Sequence, residues 1–143
     1  MKNLKYHQLI ANNSLNNCPD NECNEMETDA FRWVYEDISN ELNYLPTFLY
    51  NEKQNRPQRK NSTDDMKCSM CALSFYVSQE KAKEAFVVLP LRVREMLGYT
   101  HLGYINISKD MGLVNFELNG HLDLFEYENI DLSGSFSIIG ALN

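Results

Sequence analysis

A chain of 143 residues with 43% hydrophobic and 23% charged side chains has the size and balance of one soluble domain, which excludes wholesale disorder. No apolar run approaches the roughly 20 residues that a bilayer-spanning helix needs, and Lys2, Lys5 and His7 are followed by no apolar export stretch, so the expected setting is cytoplasmic without a membrane partner. The formal net charge of −7 argues against a nucleic-acid duplex as the main partner, because phosphate binding rests on clustered Lys and Arg.

Twelve of the seventeen asparagines fall between Asn3 and Asn61, so the first part of the chain is loop-rich and the second compact. Residues 11–29 carry Asn12, Asn13, Ser14, Asn16, Asn17, Pro19, Asp20 and Asn21, whose side chains compete with regular backbone structure, and read as a loop. Phe31-Arg32-Trp33-Val34-Tyr35 reads as a first strand by its aromatic and β-branched content. A helix capped at Thr28 or Asp29 is the alternative there.

Residues 51–67 lose nearly all apolar side chains and carry Pro57 with the basic run Lys53, Arg56, Arg59 and Lys60, which predicts an exposed loop. Ala72 to Val77 follows as a buried strand, and Ser78 stands where an N-cap belongs. Ala82, Ala85, Phe86 and Leu89 then repeat at helical spacing until Pro90 interrupts.

Tyr99 to Ile107 and Leu113 to Leu118, joined by Ser108-Lys109-Asp110-Met111-Gly112, read as a hairpin. His121 to Tyr127 and Phe136 to Leu142 complete a meander. The expectation is an α+β fold: a curved antiparallel sheet or partial barrel with one or two short helices. It forms one domain over 1–143, with an arm over 1–30, the exposed loop over 51–67 and a compact core over 68–143.

Cys68-Ser69-Met70-Cys71 has the spacing that presents two sulfurs to one ion, and Cys18 and Cys23 form a second pair, so the four are a candidate structural zinc clip. His7 or His121 could replace one sulfur. Free thiols and disulfides stand as the alternatives.

After Lys109 there is no Lys or Arg, whereas Asp110, Glu117, Asp123, Glu126, Glu128 and Asp131 are all acidic. A field of one sign speeds encounter with a partner of the other, so a larger or basic protein is the expected partner. The expected contact residues are Tyr99, Tyr104, Asp123, Phe125, Glu126, Tyr127 and Glu128, aromatic anchors among acids. The chain then reads as a small acidic accessory or regulatory protein, and its asparagine-rich composition suggests by association a bacterial or phage conflict or defence component.

The sequence holds no phosphate-cradling glycine loop, no His-Glu-x-x-His and no Gly-x-Ser-x-Gly, so no catalytic set is assigned by motif. His121 and Asp123, two apart on one strand, share a face, where a carboxylate could orient the imidazole. Arg32 on an early strand, Ser74 on a strand leading into a helix and a late acidic strand give an order of elements that resembles the ADP-ribosyltransferases. That resemblance implies an NAD-using enzyme with Arg32, Ser74 or Tyr76, and Glu126 or Glu128 as the catalytic acid. Glu126-Tyr127-Glu128 departs from that pattern in having no glycine-rich approach.

Overall fold

The computed structural model describes residues 2–57 and 62–143. Six strands, β1 (Thr28–Val34), β2 (Leu73–Tyr76), β3 (His101–Ile107), β4 (Gly112–Phe116), β5 (His121–Glu126) and β6 (Ser137–Ala141), form one open antiparallel sheet in the order β4-β5-β2-β1-β3-β6. Among the described residues, five helices accompany it: α1 (His7–Asn12), α2 (Thr47–Lys53), α3 (Asp64–Met70), α4 (Gln79–Val87) and α5 (Leu91–Leu97). The fold is α+β, with more helix than the one or two expected.

Local chemistry explains where the elements start and stop. The Ser78 hydroxyl accepts the Lys81 amide to open α4, and the Thr63 hydroxyl accepts the Met66 amide to open α3, with Asp64 and Asp65 in a first turn that favours negative charge. Pro90 ends the first helical run, but its fixed φ suits the residue just before a helix, and α5 starts at Leu91. Gly98, at φ 73°, closes α5 in the left-handed conformation.

Two expectations about the middle of the chain are corrected. Residues 51–67 are not one loop, because α2 runs into their start and α3 occupies their end; of the basic run, Lys53 lies on α2, Arg56 follows it, and Arg59 and Lys60 lie outside the described residues. Residues 11–29 are not one loop either, because α1 extends to Asn12 and β1 begins at Thr28; between them Asn24 makes an isolated bridge to Val114 on the β4 edge.

The β3–β4 hairpin and the meander are also corrected. β3 pairs with β1 over seven positions and with β6, whereas β5 is the one named strand that β4 pairs with among the described residues, so the two lie toward opposite edges of the sheet. The hairpin in this region is β4–β5, closed through Gly120 at φ 85°. Because β1 is interior, between β2 and β3, the core draws on residues well before 68.

Ala30, Val34, Leu73, Phe75, Ile105, Ile107, Val114, Leu122 and Leu124 share one face of the sheet by alternation and form the main core with Leu132 and Phe136. On the other face α4 sets Ala82 and Phe86 against Leu102, Trp33, Tyr76 and Tyr99. The Trp33 indole N–H donates to Ala82 O at 2.8 Å, so the ring is fixed as well as buried. A third cluster of Ile10, Leu15, Phe48 and Cys71 joins α1, α2 and the end of α3.

Candidate functional site

β1 and β2 share a single ladder pair, Phe31↔Tyr76. Arg32, the next residue along β1, sends its side chain into the space beside that pair. Nε donates to Asn43 O at 2.9 Å, Nη1 to Ser74 O at 2.7 Å and Nη2 to Leu45 O at 3.1 Å, and the guanidinium carbon stands 5.7 Å from the centre of the Phe75 ring. Arg32 is 8% exposed, and burial pulls its pKa below the ordinary value; a guanidinium nevertheless stays cationic in a protein.

This cation forms part of the wall of a cavity of about 200 Å³. Trp33, Tyr50, Tyr76 and Tyr99 give it aromatic sides, α2 contributes Thr47 and Asn51, and Arg56 and Leu97 close it. The walls are braced: Tyr35 and Tyr50 share a hydroxyl hydrogen bond of 2.6 Å, Tyr35 donates to Leu97 O at 2.7 Å, and Tyr50 and Tyr99 stack at 5.9 Å. Burial pushes the Tyr99 hydroxyl pKa well up, which keeps it neutral. The Arg56 guanidinium lies 5.1 Å from the Tyr50 ring centre and donates to Met96 O at 3.2 Å.

The cavity therefore carries two arginines and no carboxylate in its lining. Among the described residues, neither guanidinium has an Asp or Glu oxygen within 4 Å. In a chain of net charge −7 this is a local reversal of sign.

Ser74 stands in the same wall, and its Oγ lies 2.5 Å from His121 Nε2. The β2–β5 register, Ser74↔Asp123 and Tyr76↔His121, puts these four side chains on one face and makes Ser74 and His121 diagonal neighbours. On the far side of the imidazole, Nδ1 is 3.2 Å from Glu117 Oε1 and 3.9 Å from Asp123 Oδ1, and this buried nitrogen makes no formed hydrogen bond. Burial lowers the His121 pKa, so the ring is neutral at pH 7, and burial raises Asp123 to about 7 against the opposing hydrogen bond from Ser69. A shallower depression lined by Glu117, Asn119 and His121 adjoins the cavity, and Thr47 and Asn51 border both.

The residues singled out from sequence divide. Of the set tied to the ADP-ribosyltransferase resemblance, Arg32, Ser74 and Tyr76 line the cavity, while Glu126 pairs with Lys5 at 3.3 Å and Glu128 is bonded to Asn3. Of the expected contact residues, Asp123, Phe125 and Glu126 are buried and cannot present themselves to a partner. Tyr99 lines the cavity, Tyr104 donates to Asp29 and Tyr127 donates to Glu25.

The four-cysteine clip is not formed in this structure. Cys18 and Cys68 are joined as a disulfide with Cα atoms 5.6 Å apart, which removes two thiolates from any ligand set. Cys71 is buried among apolar side chains and Cys23 lies against Asp20, and burial pushes both thiols up to about 11. His7 lies on α1. Among the described residues, the atoms close enough to share a cation are those of Glu117, His121 and Asp123, within 4.8 Å of one another.

Sequence reading missed Thr47, Tyr50, Asn51, Arg56 and the role of Glu117. The signal for Thr47 and Tyr50 was Pro46-Thr47-Phe48-Leu49-Tyr50, a proline followed by residues that open α2 and aim aromatics inward. Among the described residues no helix is long and apolar enough to cross a membrane. No protein-family model, curated protein or solved structure matches the chain.

Proposed function

We propose that the protein binds a small organic anion in the Arg32–Tyr99 cavity. The ligand's carboxylate or phosphate faces Arg32 and Arg56, and a flat apolar body lies among Trp33, Tyr50, Tyr76 and Tyr99. The observation that carries this reading is an acid-free pair of arginines, Arg32 buried and Arg56 half-buried, lining one cavity of an acidic protein. Neutral carbonyls hold the Arg32 fork without cancelling its charge, and three bonds leave two of its five N–H groups for a ligand. A cavity of about 200 Å³ suits a single-ring ligand, since about 150 Å³ suffices for benzene.

Titration calorimetry of the full chain with benzoate, phenyl phosphate and the neutral analogue benzyl alcohol tests this. The two anions are expected to bind with Kd on the order of 0.1 to 1 mM, a fair range for ligands of about ten heavy atoms. The alcohol is expected to bind at least tenfold more weakly. Equal binding of the alcohol, or no binding by any of the three, overturns the reading.

A second reading, the protein-binding accessory protein expected from sequence, is favoured by the α4–α5 surface, where Val87, Val88, Leu91 and Met96 are exposed and Val88 reaches 77%. The contact surface moves from the acidic strand to these helices. Recovery of a stoichiometric protein partner that Val88→Asp abolishes would support it, and recovery unaffected by that change would count against it.

A further inference from the structure

The polar edge of the cavity supports chemistry beyond binding. Ser74 Oγ meets His121 Nε2 at 2.5 Å, and the opposite ring nitrogen, Nδ1, faces Glu117 Oε1 at 3.2 Å. This atom order is the one a general base requires, hydroxyl on one nitrogen and carboxylate beside the other, with the Nδ1–Glu117 hydrogen bond itself not formed in this structure. It is built by non-local structure. The β2–β5 register brings residues 47 apart together, and the turn through Gly120, with Glu117 N donating to His121 O at 2.8 Å, folds Glu117 back beside the ring. Tyr76 meets His121 edge to face at 5.3 Å and limits rotation of the imidazole. The serine faces the cavity and His121 the adjoining depression, so a substrate lying across the shared border at Thr47 and Asn51 would touch both.

We infer that Ser74, His121 and Glu117 form an acyl-transfer site that hydrolyses small carboxylic esters. Ser74 Oγ attacks the ester carbonyl carbon while its proton passes to His121 Nε2. The tetrahedral intermediate collapses with cleavage of the bond to the alcohol oxygen, and that oxygen leaves with the proton from His121, giving an acyl-Ser74 ester and a free alcohol. Water then attacks the acyl carbon, His121 takes its proton, and collapse frees the carboxylic acid as the proton returns to Ser74 Oγ. Glu117 stabilises the imidazolium formed in each half. Thr47 and Asn51, which line both the cavity and the adjoining depression, carry the hydroxyl and amide that this proposal assigns as oxyanion donors. A lowered His121 pKa fits a base that must be neutral to act. This goes beyond the binding reading, since an anion can bind without turnover and the relay can act on an uncharged ester.

The test uses the full chain with a fluorophosphonate probe and with p-nitrophenyl acetate. One probe per chain is expected, on the peptide containing Ser74, together with release of p-nitrophenol at a rate that chelator leaves unchanged. Ser74→Ala should abolish labelling and lower turnover about 100-fold or more. Glu117 is exposed, so Glu117→Gln should keep the wild-type melting temperature and lower kcat about tenfold or more while KM holds. An unlabelled Ser74, wild-type turnover in either variant, or hydrolysis abolished by chelator would each overturn the assignment. Labelling of Ser74 without any preference for organic anions would retain this site and overturn the binding reading alone.

Discussion

Arg32 Nη1 donates to the carbonyl oxygen of Ser74 at 2.7 Å, so one hydrogen bond between neighbouring strands ties the buried cation of the cavity to the residue that carries its hydroxyl. Replacing Arg32 by Met removes that bond and those to Asn43 O and Leu45 O, leaving three carbonyls without their donor. At about 1 kcal/mol for each, the expected loss is about 3 kcal/mol, read as a shift in the urea midpoint. Arg32→Lys offers one cationic point in place of the fork and should recover only part of it.

Glu126 makes stability depend on pH. Burial raises its carboxyl from 4.5 to about 7, opposed by the charges of Lys5 and Arg32, assisted by Asp131, and with Tyr6 also facing the group. Between those two values the folded chain holds a proton that the unfolded chain has released, so stability falls as pH rises through the window. The component is on the order of 3 kcal/mol. Melts of the wild type from pH 4.5 to 8 should show that decline, to which Asp123, also raised to about 7 by burial, adds its own share, so Glu126→Gln should make the slope shallower without abolishing it. A Gln variant with the wild-type slope would contradict the assignment.

Gly112 has no room for a side chain. A Cβ there would stand 2.2 Å from Phe125 O and 2.9 Å from its carbonyl carbon, both backbone atoms of the paired strand β5. Gly112→Ala should therefore force β4 away from β5 and cost about 3 kcal/mol in chemical denaturation. The neighbouring change Leu113→Ala, on a half-buried side chain, serves as a control for loss of apolar contact alone.

The Cys18–Cys68 crosslink spans 50 residues and pins the irregular arm after α1 to helix α3. Chain-entropy reasoning gives about 4 kcal/mol for closing a loop of that length. Reductant or Cys18→Ser should lower the melting temperature, and intact mass with and without reductant before alkylation should show two fewer free thiols in the unreduced protein. One zinc per chain by elemental analysis, with all four thiols free, would instead restore the clip read from spacing.

Elements set by local chemistry were legible in the sequence. β2 and α4 were read as a buried strand over Ala72 to Val77 and through Ser78 as cap with Ala82, Ala85, Phe86 and Leu89 at helical spacing, and β5 and β6 through short apolar runs bounded by turns. Partners were not legible. The turn Ser108 to Gly112 suits a hairpin, yet β1 takes one side of β3 and β5 takes β4, because Ile105 and Ile107 bury against Ala30 while Val114 buries against Leu124. Cys68 and Cys71 have a metal-site spacing, but α3 turns one toward Cys18 and the other among Ile10, Leu15 and Phe48. Ser74 and His121 were each noted, and only the β2–β5 register makes them neighbours.

The most direct measurement uses Trp33, the single tryptophan, which lines the cavity. Its fluorescence should change saturably on titration with phenyl phosphate, at a midpoint that rises about tenfold in Arg56→Met, a variant whose melting temperature should stay close to wild type. Emission that does not respond to phenyl phosphate in the wild type, or the same midpoint with and without Arg56, would contradict an anion seated between the two arginines.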